Sequence, residues 1–355
     1  MKNKKLLSLL LVIVILFTTG CGADNYIKDA ENKIVTNNKT GQTLQKDIFC
    51  KPSKDTETYN LYVEYEDQMP TKLEDLPECS SFRIKKTKTD GIWSLIFVKP
   101  VAFVILKLGN LLRSWGLTKA YLGLALIIIG ILIRVVLLPI NIKTQNQSKN
   151  MQKLQPEMQR LEKKYAGRND QESMMAKSQE MMMLYKKYKV NPMLSCILAL
   201  IQLPIFFAFL QAIYKIPTIY EGEIFGWNLG TTPSIGITQN HQYTYIILIV
   251  LIILTTFFSF KYSMSQAPTA TPDAAKQSKT MLIVMTVMIG VASFSLPTAI
   301  ALYWIATYAF VIGQTYVMKL ITNKKGNYDK ELKKETKKIQ EKLKLKEGMK
   351  YGKNK

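Results

Sequence analysis

The sequence predicts an all-α integral membrane protein, with five transmembrane helices around a hydrophilic groove, a cytoplasmic antiparallel helical hairpin and an external interfacial helix. Three observations carry this expectation. First, the chain is 48% hydrophobic and 21% charged. Its apolar residues gather in runs about 20 long while the charges fill the stretches between them. Second, the basic residues are unevenly placed. Residues 143–190 hold 11 basic and 5 acidic side chains and residues 321–355 hold 13 and 5, whereas 215–242 holds Lys215 against Glu221 and Glu223. Third, Arg134 stands inside an apolar run, and none of the five runs contains an Asp or Glu. The segregation argues against a soluble enzyme. One His and four Cys argue against a buried metal centre, and no cofactor is expected.

The N-terminus is read first because it fixes orientation. Lys2, Lys4 and Lys5 precede the apolar run Leu6–Phe17, which is 12 residues long: too short for a span and suited to a signal-peptide core. Residues 1–20 are expected to be removed as a lipoprotein signal peptide, with an ordinary cleaved or uncleaved anchor as the alternative. The sequence Thr18-Thr19-Gly20-Cys21-Gly22 resembles a bacterial lipobox, with Cys21 as the lipid attachment point and new first residue. Residues 21–91 would then lie outside. Over 22–92 they are polar, with 11 basic and 13 acidic side chains and no sustained period, and a small or loosely ordered segment is expected. An external location permits a disulfide between Cys50 and Cys79; two free thiols are the alternative.

Residues 92–115 are apolar but carry Lys99, Lys107 and Arg113, so an interfacial helix is preferred to a span that buries ammonium groups. The spans are placed at 120–140, 193–214, 243–260, 281–296 and 298–320. The last two form one apolar stretch interrupted at Pro297, where the chain must turn back. An odd number of crossings puts the N-terminus outside and the basic C-terminus in the cytoplasm, in agreement with the charge bias.

Residues 143–190 show their own pattern. Met151, Leu154, Met158, Leu161 and Tyr165 fall at heptad spacing. A turn at 167–170 separates them from a second stripe of Met174, Met181, Tyr185 and Tyr188. Two antiparallel helices are expected, and their methionines offer an adaptable apolar surface. The tail 321–355 reads as a basic arm suited to ribosomal RNA or to anionic lipid.

Arg134 lies about 21 Å from the outer end of its run and about 9 Å from the inner end. A guanidinium at that depth is costly unless hydrated or paired, and no partner carboxylate is present. A wet cavity is inferred. Gly123, Gly130 and Asn141 share its helix face, and other runs repeat the polar stripe: Ser195 and Gln202, Thr255 and Ser259, Thr286 and Ser293, Thr307 and Gln314. Packing between helices through small polar residues is the alternative for each pair, and snorkelling to the inner interface is the alternative for Arg134.

The segments LIIIGILIRVVLLPINIK, MQKLQPEMQRLEKKY, NPMLSCILALIQLPIFFAFLQAI and FSLPTAIALYW, in this order, resemble the YidC-type membrane protein insertases of the Oxa/Alb superfamily over residues 92–320. Two places depart from the family pattern: Thr298-Ala299 after the proline, and Ser259-Phe260 where many members carry Gln. The resemblance implies a bacterial plasma-membrane insertase and chaperone whose groove opens to cytoplasm and lipid but is closed outside. Arg134, Gln202, Thr255, Ser259, Trp304, Thr307 and Gln314 are the candidate groove residues. Nascent membrane proteins, the ribosome and the Sec translocon are the implied partners, with a monomer as the working unit. No GxxxxGK[ST] motif occurs, and no ATP hydrolysis is expected. A secondary transporter gripping an anionic solute with Arg134 is the rival reading, although the internal repeats and buried ionisable couplers of such proteins are missing. A structural assembly factor acting through hairpin and tail is a third.

Overall fold

The computed structural model describes residues 25–87, 89–168, 170–191, 193–266 and 272–321. The expected signal segment, Cys21 and the basic tail from residue 322 lie outside the described residues, as does the Ser195 side chain.

Residues 25–91 form a small folded unit, the ordered one of the two forms expected. The amides of Ile27, Val35 and Leu44 bond round a circle of carbonyls: Ile27 to Leu44, Leu44 to Val35, Val35 to Ile27. The three side chains are thereby brought into one core with Ile48, Tyr62 and Leu73. Left-handed turns at Asn32 and Gly41 reverse the chain between them. Helix α1, Glu57–Glu64, is capped by the Thr56 hydroxyl, which accepts from the Tyr59 amide. Cys50 and Cys79 are joined by a disulfide. Short local periods are absent because this core is assembled by pairings between distant turns.

Helix α2, Lys99–Ser114, follows a π-helical turn at Ser94–Val98. Lys99 is buried at its root. Its ammonium pairs with Asp90 and donates to the Lys85 carbonyl at 2.7 Å, and the two paired side chains are only 4% and 1% exposed. Burial pushes the Asp90 carboxyl up. The Lys99 ammonium, the Thr87 amide and hydroxyl, and the Ser94 hydroxyl outweigh it and bring the group down to about 2.

Helix α3, Tyr121–Val136, runs almost directly into α4, Leu138–Lys164, with a bend of 51° between them. The expected span 120–140 is therefore broken near residue 137. Pro139 has no amide to donate and its ring crowds the carbonyl of Val135, so the helix restarts with Pro in its first turn. Helix α5, Gln171–Lys187, is capped by the Asp170 carboxylate on the Ser173 amide and packs antiparallel on α4. Leu154, Met158, Leu161, Tyr165 and Val190 form the seam. Met174 does not join it and is exposed. The Tyr165 hydroxyl donates to Glu180 across the pair.

Helix α6, Met193–Tyr214, leads into a loop with a short antiparallel pair, β1 (Glu223–Ile224) and β2 (Trp227–Asn228), and helix α7, Pro233–Thr238. Helix α8, Thr244–Gln266, packs along α9, Pro272–Ser293. Helix α9 begins nine residues before the apolar run at 281, so its charged first turns, with Lys276 and Lys279, extend the α8/α9 pair beyond the apolar zone. The chain turns at Pro297, whose carbonyl accepts from the Ile300 amide, and continues as α10, Thr298–Ile321.

Among the described residues, Ser94–Ser114, Thr244–Met264 and Thr298–Ile321 are each long and apolar enough to cross a membrane, and the bent pair Tyr121–Val136 with Leu138–Thr144 is a fourth candidate. The molecule is an all-α membrane protein. Both ends of Ser94–Ser114 nevertheless sit at one end of the bundle. Trp93 bonds Gln211 in the last turn of α6, and Gly109 meets Leu122 in the first turn of α3.

Residues 39–53 clasp that same end. The Phe49 amide donates to the Lys215 carbonyl, Lys215 pairs with Asp47 at 2.8 Å, and Ser53 donates to Glu221 through its amide and its hydroxyl. The Thr232 amide bonds the Thr40 carbonyl, and Asn240 bonds the Lys39 carbonyl. Nothing in the sequence pattern announced this docking.

Candidate functional site: a polar region below a dry plug

The helices are packed unequally along their length. At the clasped end, Leu122, Leu126 and Ile129 of α3 meet Phe209, Ala212 and Ile213 of α6, Tyr245, Leu248 and Ile252 of α8, and Ala299 to Tyr303 of α10. Phe209 and Tyr303 stack with centroids 3.9 Å apart. This is a dry plug. It ends near Ile129, and beyond it, toward the α4/α5 hairpin, Leu132, Val135, Val136, Leu203, Tyr316, Val317 and Leu320 are exposed. Among the described residues, the meshed cluster of large aromatic and branched side chains lies at the clasped end, and Phe260 of α8 meets Tyr308 of α10 beyond it, with centroids 6.2 Å apart.

Arg134 lies about 7.5 Å along the helix from Ile129, just past the plug. Its side chain is half-buried, and its Nε is buried without a hydrogen-bond partner. No carboxylate pairs with it among the described residues. Its charge acts on the ring hydroxyls of Tyr303 and Tyr308 of α10. Gln202 approaches Tyr303 from α6, but the Tyr303 hydroxyl has no bonded partner within hydrogen-bond geometry. Gln314 is half-buried and its Oε1 is also unpaired. Arg134 on α3 and Tyr303 and Gln314 on α10 thus hold unsatisfied polar atoms from the edge of the plug onward, where an apolar core would be expected. Such groups are costly in a dry interior and are stabilised by water or by a polar segment of another molecule.

The other predicted residues divide. Thr307 is buried, and its hydroxyl turns back to the carbonyls of Tyr303 and Trp304. Its methyl faces Gly130, where an added Cβ would come within 3.3 Å of it. Gly130 is thus a contact point, and so is Gly123, whose added Cβ would lie 2.8 Å from Ile224. The small face of α3 is packed in its first half and opens only near Arg134. Thr255 bonds its own helix at the Leu251 carbonyl, while its neighbour Thr256 is fully buried with an unpaired hydroxyl. Ser259 is buried one turn further along. Trp304 is half-buried and stacks on Phe206 at 5.7 Å. Tyr303, Tyr308 and Thr256 are polar groups here that a small-residue stripe does not mark. Their signal was the excess of hydroxyls in otherwise apolar runs.

A family profile described as 60Kd inner membrane protein matches residues 115–326. Membrane protein insertase YidC of Oceanobacillus iheyensis is 35% identical over 232 residues, covering 65% of this chain and 84% of that protein. Membrane protein insertase MisCA of Bacillus subtilis is 34% identical over 245 residues, covering 69% of this chain and 86% of that protein. The chain belongs to the YidC-type insertase family. The matched region begins just before α3 and takes in α3, α6, α8 and α10, while α2, whose Ala102, Ile105 and Leu106 join the same buried cluster, lies before it. The folded unit 25–91, its disulfide and α2 precede it. As a member of an insertase family, the protein is not an enzyme in the catalytic sense.

Proposed function

We propose that the protein inserts client proteins into the bilayer through a groove that begins at Arg134 and opens toward the cytoplasmic hairpin. The carrying observation is that the meshed cluster ends near Ile129 and Tyr303, while Arg134 just beyond it and Gln314, about 16 Å past Tyr303 along α10, hold unpaired buried polar atoms. The plug keeps the outer end closed. The region beyond it keeps water part-way into the membrane, so a short polar or acidic client tail enters without losing its whole hydration shell. The client's apolar helix then leaves sideways into lipid, driven by its own burial and, for acidic tails, by the membrane potential. No nucleotide hydrolysis enters this scheme. The charge bias supports an external N-terminus and a cytoplasmic C-terminus, and the location of both ends of α2 at the clasped end supports its lying along the outer interface. Exposed Met174, Met175, Met182 and Met183 on α5 suit a first contact with apolar client helices.

The test uses purified protein in liposomes with labelled single-span clients. Arg134→Ala is expected to reduce insertion of acidic-tailed clients, and Arg134→Lys to retain much of it. Equal insertion by wild type and Arg134→Ala defeats the reading. Uptake of a labelled anionic solute without insertion replaces it with the transporter. The tail beyond residue 321 is assigned ribosome contact: co-sedimentation is expected to fall on its removal and at high salt.

A further inference from the structure

The hairpin between β1 and β2 presents one side chain in an unusual way. Ile224 pairs with Trp227, so the turn consists of Phe225 and Gly226, at φ +54° and +80°. A two-residue turn with both central residues left-handed favours Asn, Asp or Gly at its first position. Here that position holds Phe225, whose side chain is 75% exposed. A bulky aromatic in that conformation is unfavourable on two counts: its Cβ crowds the backbone and its ring faces outward.

The turn is not loose. The Leu229 amide closes its neck on the Gly222 carbonyl at 2.9 Å, Asn228 accepts from the Gly230 amide at 2.9 Å, and Trp227 lies edge-on behind the Phe225 ring with centroids 6.3 Å apart. The hairpin is fixed against the start of α3: the Glu223 amide reaches the Lys119 carbonyl at 3.4 Å, and Ile224 fills the space over Gly123. The apolar run of α3 begins at Tyr121, so these contacts hold the tip at the level where the chain passes from head groups into hydrocarbon. The surroundings match that depth. Trp115, at the end of α2, is 72% exposed. The Arg113 guanidinium lies 5.8 Å from the Tyr121 ring centroid, and Lys119 is exposed beside them. Aromatic rings backed by snorkelling cations are the side chains that hold a protein at a lipid boundary.

We infer that Phe225, with Trp115, is a lipid anchor: the hairpin tip inserts its ring into the head-group/acyl boundary of the leaflet at the clasped end and sets the depth at which α3, and therefore Arg134, sits. The occupant is lipid rather than a protein, because the tip is level with the bilayer edge and rimmed by cations suited to phosphate head groups. The inference requires only that α3 crosses the membrane and stands whether or not the insertase mechanism above is right.

The test places the photoreactive analogue p-benzoyl-phenylalanine at position 225 of the full chain, reconstituted in vesicles of phosphatidylethanolamine and phosphatidylglycerol. The same analogue at Gln239, an exposed position on the same loop, is the control. After irradiation, mass spectrometry of the proteolytic peptide spanning 216–261 is expected to show phospholipid adducts at 225 and none above background at 239. Equal adducts at both positions, no adduct at 225, or an adduct with another polypeptide overturns the anchor. Phe225→Asn separates a lipid role from a structural one. Asn relieves the turn, so the melting temperature in detergent is expected to hold or rise while Trp115 emission in vesicles shifts to the red. A fall in melting temperature with unchanged emission assigns Phe225 to packing instead.

Discussion

Replacing both cysteines of the Cys50–Cys79 bond by alanine tests how far the N-terminal unit governs the membrane core. The bond closes a loop with a sequence separation of 29. Loop-closure entropy for that length makes the cross-link worth roughly 3.5 kcal/mol at 25 °C. At 1.4 kcal/mol per tenfold, the open population of the unit should rise by roughly 300-fold when the bond is lost. Two groups of amides report it. Ile27, Val35 and Leu44 donate within the unit, whereas Phe49 and Thr232 donate across the clasp, to Lys215 and Thr40. Hydrogen exchange on the full chain in nanodiscs should show faster exchange in both groups, with Leu248 and Ile252 of α8 unchanged. Two outcomes refute the reasoning. Unchanged exchange everywhere means the cross-link does not hold the unit together. Faster exchange at 27–44 with unchanged Phe49 and Thr232 means the unit holds itself but not the loop.

Four further outcomes are expected. Asp90→Asn strands a buried ammonium and should destabilise the root of α2 by about 3 kcal/mol, with partial recovery in Asp90→Asn/Lys99→Met, read from Trp93 fluorescence during denaturation. Because the folded Asp90 carboxyl is held down at about 2, its contribution of roughly 2 kcal/mol is complete above the ordinary carboxylate range and is lost as pH falls through about 2, which an acid titration of the same signal follows. Gly123→Ala drives a methyl into Ile224 and should cost about 1–3 kcal/mol, seen as a lower melting temperature; Gly130→Ala, with 3.3 Å to its neighbours, should cost less. In the α4/α5 hairpin, the Tyr188 hydroxyl and the Lys187 ammonium hold the Glu157 carboxyl below its usual range, and Lys164 and Tyr165 do the same for Glu180. Helix pairing should therefore persist below the usual Glu range and loosen only at lower pH, as measured by distances between spin labels on α4 and α5.

The helical parts of this molecule were legible because their signals are local. The hydrophobic period of Leu154, Met158 and Leu161 and the break at Pro297 each specify an element from its own residues. Arg134 stood out because one charge in an apolar run needs an explanation. The bend near residue 137 was harder: Pro139 reads equally as the end of one helix or the first turn of the next, and only packing selects the second. The identity of the threonine on the buried face of α8 turned on a rotation of 100°, which separates Thr255 from Thr256 and which an apolar run does not define. Glycines 123 and 130 share the face of Arg134, but their partners Ile224 and Tyr303 are 101 and 173 residues away, so the sequence did not distinguish a cavity wall from a contact. The N-terminal unit was illegible for the same reason, since its core is built by bonds between separate turns.

The join between α3 and α4 has a mechanical side. Helix α4 is 27 residues long, a rod of about 40 Å, and it is attached one short turn beyond Arg134 with no flexible linker. A swing of 10° about residue 137 carries the far tip of the rod through about 7 Å, so the same lever works in reverse: a push on the tip arrives at the guanidinium as a small, forceful displacement. Whatever leans on the hairpin is geared directly to the charge set inside the apolar run.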